Sequence, residues 1–160
     1  MKPLSAIVVS AGLAAASPAL AQQSAPSPLL GSWSVEIERL PMPSEARPKS
    51  VTFTFAELSD GRWTGEVEIV DGSGASTKGT ATYALNGVPA EVQGSPEADT
   101  IAVRLPAPGV LVMALAKGGV PGSTRVYAVG ADGKSMVETA VYFTNEGSPV
   151  MRTNYFTRLR

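Results

Sequence analysis

Residues 50–70 read SVTFTFAELSDGRWTGEVEIV, and this stretch decides the fold. An apolar residue recurs at every second position around Phe53, and again after Trp63, with Thr or Glu between the apolar positions. A period of two is typical of a β-strand that buries one face. Asp60-Gly61 lies between the two halves and favours a tight turn, because Asp-Gly accepts the positive φ angles of a hairpin. The stretch therefore predicts two antiparallel strands.

The same arrangement continues along most of the chain. Further strand-like runs cover residues 32–40, 76–85, 100–105, 110–116, 124–129, 135–144 and 149–159. Turn-forming pairs lie between runs at Asp71-Gly72, Asn86-Gly87, Gly118-Gly119 and Asp132-Gly133. Most of these turns are spaced for one strand and a tight connection, which leaves no room for a crossover helix.

These runs predict an all-β domain over residues 31–160. We expect an antiparallel up-and-down meander of about eight to ten strands, closed into a small barrel because closure removes the two exposed edges. A two-sheet sandwich is the main alternative. A barrel of this size either fills its interior with side chains or encloses one small ligand.

Composition excludes several chemistries. The 160 residues contain no cysteine and no histidine, so disulfides, thiolate or Ser-His catalysis and zinc–thiolate sites are excluded. The 13 basic and 14 acidic residues are scattered, whereas nucleic-acid binding needs clustered basic side chains. We expect neither an enzyme nor a cofactor-dependent or nucleic-acid-binding protein.

The N-terminal residues 1–21, MKPLSAIVVSAGLAAASPALA, have the pattern of a secretory signal peptide. Lys2 is followed by an apolar run too short to span a bilayer comfortably, and Ala19-Leu20-Ala21 matches a cleavage site. We predict Sec-type export by a bacterium, cleavage after Ala21 and a periplasmic or secreted product without a later membrane span. An uncleaved anchor is the alternative. Residues 22–30, polar and proline-containing, predict a flexible spacer.

Several short motifs occur in an ordered series. They are Gly31-Ser32-Trp33, RPKSVT at 47–52, GSPEADTIAV at 94–103, GADGKSM at 130–136 and TNEGSPV at 144–150. With this series the chain resembles a group of secreted bacterial lipocalin-like proteins of uncharacterised function. The resemblance implies a small calycin-type barrel and no particular activity. Residues 110–113 depart from it, because they are apolar where the group usually has a polar strand.

The resemblance also implies a structural pair at the closed end of the barrel. In lipocalins, the Trp of the G-x-W motif packs beneath an Arg from the last strand. Trp33 matches the Trp of this pair. Arg158 is the better match for the Arg, and Arg152 is the second choice.

Aromatic and sulfur-containing residues in the predicted strands are the candidate ligand-binding residues. They are Phe53, Phe55, Trp63, Tyr83, Met113, Tyr127, Tyr142 and Tyr155. They predict a barrel that binds a small apolar or amphipathic molecule, with hydroxyl groups to orient it. The alternative is an envelope-associated interaction module that uses its outer surface, with residues 110–113 as the candidate patch. The sequence leaves the oligomeric state open.

Paired acidic residues occur at three places: Glu36 with Glu38, Glu66 with Glu68, and Glu97 with Asp99. The first two pairs share a strand face, which is equally typical of a solvent-exposed exterior. The third lacks the dense oxygen-ligand spacing of a calcium loop. The sequence therefore predicts no metal site.

Overall fold

The computed structural model describes residues 25–159. The signal peptide predicted over 1–21 and its cleavage site lie outside the described residues, as do residues 22–24 and Arg160. Within residues 25–159 the chain forms ten strands and two short 3-10 helices, Ile37–Arg39 and Ser44–Ala46. The strands are β1 (Gly31–Val35), β2 (Ser50–Glu57), β3 (Trp63–Val70), β4 (Ser76–Tyr83), β5 (Ala90–Gln93), β6 (Thr100–Ala107), β7 (Val110–Lys117), β8 (Val120–Val129), β9 (Ser135–Phe143) and β10 (Pro149–Arg158).

All strand pairs are antiparallel, and β1 pairs with both β2 and β10, which closes the sheet into a barrel. The predicted fold class is confirmed, and the sandwich alternative is excluded. The ladder is thinnest at β5, which makes two residue pairs with β4 and two with β6.

The first strand is shorter than predicted. The sequence places a strand over residues 32–40, but β1 ends at Val35 and a 3-10 helix follows. Pro41 and Pro43 lack the backbone N–H that a ladder needs. Within this connection, the carbonyl of Met42 accepts a hydrogen bond from Arg47 Nε at 3.1 Å.

One end of the barrel is closed by the segment that precedes β1. Leu29 is fully buried, and its carbonyl accepts a 2.9 Å hydrogen bond from Trp33 Nε1. The flexible spacer expected over residues 22–30 therefore does not include Leu29, whose side chain joins the core. The guanidinium carbon of Arg158 lies 4.1 Å from the centre of the Trp33 ring, and its nitrogens donate to the carbonyls of Pro28, Leu30 and Gly133.

The opposite end is the mouth, where the loops over residues 36–49, 71–75, 94–99, 118–119 and 144–148 meet. The loop over residues 94–99 begins at Gly94, which has a φ of +71°. A Cβ on Gly94 would stand 2.2 Å from the carbonyl oxygen of Lys78 on β4. Glycine therefore lets this loop turn tightly against the strand.

A Gly94→Ala substitution is expected to lower the free energy of unfolding by at least about 2 kcal/mol, because left-handed strain is added to a backbone clash. Gly147→Ala is the matched control, since Gly147 has a φ of +80° and no atom within 4 Å of its virtual Cβ. Urea unfolding monitored by circular dichroism measures both losses. Equal losses for the two variants would contradict the proposed clash.

The outer face of β7–β10 is unusually apolar. Val126, Val141, Phe143 and Met151 are exposed there, and Met151 retains 72% of its accessible surface. Residues 110–113 are not the exposed patch that the alternative hypothesis requires, because Leu111 and Met113 point inward and are buried. Cross-strand pairing sets this orientation, since it places both beside the inward-facing residues of β8.

Candidate functional site

The barrel encloses an apolar cavity of about 90 Å³. Its walls come from the inner faces of β2–β4 and β5–β8, and the loop over residues 94–99 covers it. The apolar lining residues are Phe53, Phe55, Val67, Ile69, Ala81, Val92, Ile101, Met113 and Leu115. The alternating apolar positions of the sequence produce this lining, because cross-strand neighbours share a face of the sheet.

Tyr83 supplies a polar atom to this apolar cavity. Its side chain is buried, and its hydroxyl oxygen has no hydrogen-bond partner within residues 25–159. A Cβ on Gly65 would stand 2.8 Å from that oxygen, so the absence of a side chain at Gly65 makes room for the hydroxyl. Burial raises the pKa of Tyr83, which keeps the group protonated. The wall of the cavity therefore contains a hydrogen-bond donor that has no acceptor among the described residues.

A charged network lies beside the apolar cavity, with Glu138 of β9 at its centre. Glu138 is 1% exposed, and its carboxylate accepts hydrogen bonds from the Tyr127 hydroxyl at 3.0 Å and from Asn154 Nδ2 at 2.5 Å. Arg125 Nη1 lies 3.6 Å from Glu138 Oε1. Burial, reinforced by the charge of Glu138, raises the pKa of Tyr127 and keeps its hydroxyl a donor.

Arg125 connects this network to the mouth. Its Nη2 lies 2.5 Å from Glu97 Oε2 in the loop over residues 94–99, and its Nε donates to Ser123 Oγ at 3.2 Å. Burial alone would lower the pKa of Arg125, but the acidic groups of Tyr127, Glu97 and Glu138 raise it above its ordinary value. The guanidinium therefore remains charged within the barrel.

A second cavity of about 360 Å³ opens on the mouth side of Arg125. Its lining is mixed and consists of Glu97, Leu115, Gly122, Ser123, Arg125, Ala140, Tyr142 and Arg152. Glu97, Leu115 and Arg125 line both cavities. The two cavities are therefore neighbours on either side of these three side chains, one apolar and one polar.

Arg152 of β10 faces the polar cavity without a counter-ion among residues 25–159. Among the described residues, the arginines that form ion pairs are Arg39, Arg47, Arg62 and Arg125. The Nε of Arg152 is buried and lacks a hydrogen-bond partner, and the guanidinium carbon lies 6.0 Å from the ring centre of Tyr142.

The structure divides the eight sequence-predicted ligand residues among several places. Five of them line the apolar cavity: Phe53, Phe55, Tyr83, Met113 and Tyr127. Tyr142 lines the polar cavity, and Trp63 is buried in the core at the closed-end terminus of β3.

The prediction that Tyr155 faces a ligand is wrong. Tyr155 pairs with Val137 on the outer face of the barrel, and the guanidinium carbon of Arg39 lies 3.2 Å from its ring centre. The neighbouring Phe156 occupies the inward position instead and is buried. Arg152, the second choice for the partner of Trp33, lies at the mouth rather than at the closed end.

Sequence reasoning missed the charged network of Arg125, Glu138 and Asn154. On β9, Val137 and Val141 alternate with Glu138, but Met136 and Tyr142 share its face, so the pattern alone leaves the orientation of Glu138 open. Strand pairing decides the orientation, because Glu138 lies opposite Tyr127 and Asn154 on the inner face. The available signal was Met136, which lies two positions before Glu138 and therefore on the same face of the strand. Met136 is a core residue.

Apart from Glu97, the acidic residues that are paired in the sequence do not contact Arg125 or Glu138. Glu66 lies on the outer face 2.8 Å from Lys78 Nζ, and Asp99 accepts a hydrogen bond from the backbone N–H of Gly118 at 2.8 Å. The described part of the chain has no cluster of three or more acidic side chains placed to hold a metal ion. Within the same residues, no helix has the length and apolar character to cross a membrane.

Comparisons of the chain with protein-family models, with curated proteins and with solved structures found no match.

Proposed function

We propose that this chain is an exported bacterial lipocalin-like protein that binds a small amphipathic molecule inside its barrel. The supporting observation is the apolar cavity under the loop over residues 94–99, with the unpartnered Tyr83 hydroxyl in its wall. An apolar site with a few placed polar groups is typical of small-molecule binding. The motif series and the signal-like residues 1–21 support export and the lipocalin-like assignment.

The size of the apolar cavity favours an amphipathic ligand over a wholly apolar one. An apolar cavity of about 150 Å³ is known to hold benzene, so one of about 90 Å³ holds only a short alkyl segment. The remainder of the ligand extends past Arg125 into the polar cavity. The Tyr83 donor gives the buried segment an orienting hydrogen bond when the ligand has an acceptor there.

A second candidate function uses the outer surface of the barrel. Its support is the uncharged face of β8–β10, where Phe143 and Met151 are 68% and 72% exposed. Exposed apolar patches of this kind mark interaction sites in many soluble proteins. Sedimentation of the purified protein across a concentration series tests self-association through this face, with Met151→Lys as the disrupting variant.

Ala81→Leu is expected to weaken the binding of 1-octanol by about tenfold or more. Three added carbons occupy much of the apolar cavity and exclude about two methylene groups of the ligand, which costs about 1.6 kcal/mol. Ligand titration followed by NMR chemical shifts measures the dissociation constant. Ala114→Leu is the matched control, because it places the same substitution on the outer face of β7, where Ala114 is exposed.

Equal octanol affinity in the wild type and in Ala81→Leu would contradict binding inside the barrel. Native mass spectrometry of protein purified from its host's envelope gives an independent test. We expect a co-purifying small molecule, and a mature mass that begins at Gln22. An apo mass from several preparations would count against the proposed function.

A further inference from the structure

We propose that the ligand carries a single negative charge, and that its anionic head lies in the polar cavity between Arg152 and Arg125. This inference rests on the proposed function and assigns the chemical class of the molecule bound. The supporting observation is Arg152, whose side chain lines the polar cavity at the mouth without a carboxylate partner among residues 25–159.

The side chain of Arg152 has one hydrogen-bond donor that lacks an acceptor. Arg152 is partly exposed, but its Nε–H is buried and donates no hydrogen bond to the described residues. A buried polar donor is normally hydrogen-bonded, because burial removes its hydrogen bonds to water. An anion that enters the polar cavity supplies the missing partner.

The charges around the cavity define how much negative charge fits. Arg125 and Arg152 contribute two positive charges, and Glu138 contributes one negative charge. Glu97 neutralises the set, but its side chain is 58% exposed and belongs to the covering loop. When Glu97 turns outward to solvent, one negative charge is needed in its place. A dianion would leave an excess negative charge in the cavity, and a cationic head would be repelled by Arg125 and Arg152.

The two cavities fix the direction of the ligand. Arg125 lines both of them, so a head bound at this guanidinium is adjacent to the apolar cavity. The Tyr142 and Ser123 side chains line the polar cavity and offer hydroxyl donors to the head. An alkyl tail then points toward Phe53 and Met113. A molecule with a carboxylate at one end of a short alkyl chain has this arrangement.

Octanoate, 1-octanol and octylammonium test the inference, because they share a chain and differ in the charge of the head. With the purified full chain at pH 7, we expect octanoate to bind at least tenfold more tightly than octanol, and octylammonium to bind most weakly. Isothermal titration calorimetry measures the three dissociation constants.

Arg152→Gln is expected to lower the affinity for octanoate at least tenfold and the affinity for octanol by much less, because the octanol hydroxyl carries no charge. Arg104→Gln is the matched control, since Arg104 is exposed on the outer face of β6. Arg152→Lys keeps the positive charge and is expected to retain most of the preference for octanoate. If Arg152→Gln fails to fold, Arg152→Lys compared with the wild type in high salt still tests the charge dependence.

Glu97→Gln is expected to raise the affinity for octanoate, in contrast to Arg152→Gln. The neutral side chain competes less with the ligand for Arg125, so octanoate is expected to bind several-fold more tightly while the affinity for octanol changes much less. If octanol binds and octanoate binds no more tightly, the anionic head is wrong and the proposed function stands. If none of the three compounds binds, both proposals fail together.

Discussion

Trp33→Ala is expected to lower the free energy of unfolding by about 3–5 kcal/mol, the usual cost of removing a fully buried tryptophan. Trp33 is completely buried at the closed end, where β1 meets both β2 and β10. Its replacement leaves a cavity beneath Leu29 and removes the hydrogen bond from the indole to the carbonyl of Leu29. Chemical denaturation monitored by circular dichroism measures the loss.

The loss extends beyond the indole itself, because Arg158 depends on the ring below it. The Arg158 guanidinium donates to the Leu30 and Gly133 carbonyls, both at 2.7 Å, while its carbon lies 4.1 Å from the Trp33 ring centre. A cation over an indole gains about 2 kcal/mol when it is desolvated. Trp33→Ala therefore also loosens the contact between β10 and the segment before β1.

Two further variants separate the contributions to the stability loss of Trp33→Ala. Trp33→Phe keeps an aromatic ring and loses the N–H donor, so a loss of about 1–3 kcal/mol is expected from the unpartnered Leu29 carbonyl. Tyr155→Ala removes a ring that is also covered by an arginine, but on the outer face, and a smaller loss is expected. Similar losses for Trp33→Ala and Tyr155→Ala would show that the closed end is not part of the cooperative core.

The sequence predicted the barrel because most strands alternate and several turns carry Asp-Gly or Asn-Gly. On β2 and β3, apolar residues such as Phe53 and Val67 alternate with Thr or Glu, so one period indicates both the strand and its buried face. Closure followed from the absence of long connections in most of the chain. These features are local, and local features can be derived from a single sequence.

The period of two did not identify the buried face of strands that have apolar residues on both faces. On β10, Met151 and Tyr155 alternate with Arg152 and Asn154, and an apolar-inward assignment places the wrong set inside. Pairing with β9 and β1 decides the orientation, and a shift of one residue would reverse it. A polar cluster inside a barrel therefore depends on register, which is not local information.

Leu29 illustrates a second kind of error. Its neighbours are proline, serine and other residues typical of linkers, and composition alone predicted a spacer. One leucine is buried because Trp33 donates to its carbonyl and Arg158 binds the carbonyls on either side. The closed end thus depends on contacts between residues more than 120 positions apart, which no sequence window contains.

Glu138→Leu is expected to lower the free energy of unfolding by about 3–5 kcal/mol, because it removes one partner of a buried ionic network. Glu138 is 1% exposed and accepts hydrogen bonds from Tyr127 and Asn154. The substitution leaves both donors unsatisfied and leaves Arg125 with Glu97 as its remaining carboxylate partner. Glu66→Gln is the control, since Glu66 pairs with Lys78 on the solvent side and a much smaller loss is expected.

A double variant separates the charge from the packing. In Glu138→Leu with Arg125→Met, no guanidinium is stranded beside an apolar residue, so the double variant is expected to be at least about 1 kcal/mol more stable than Glu138→Leu alone. Urea unfolding of the four proteins in the cycle measures the coupling between the two side chains. Additive losses would contradict a direct ionic interaction, and the 3.6 Å separation of Arg125 Nη1 from Glu138 Oε1 would then carry no net attraction. Coupling of the expected sign would instead show that the barrel maintains a charged interior at Arg125, the residue that separates the apolar cavity from the polar one.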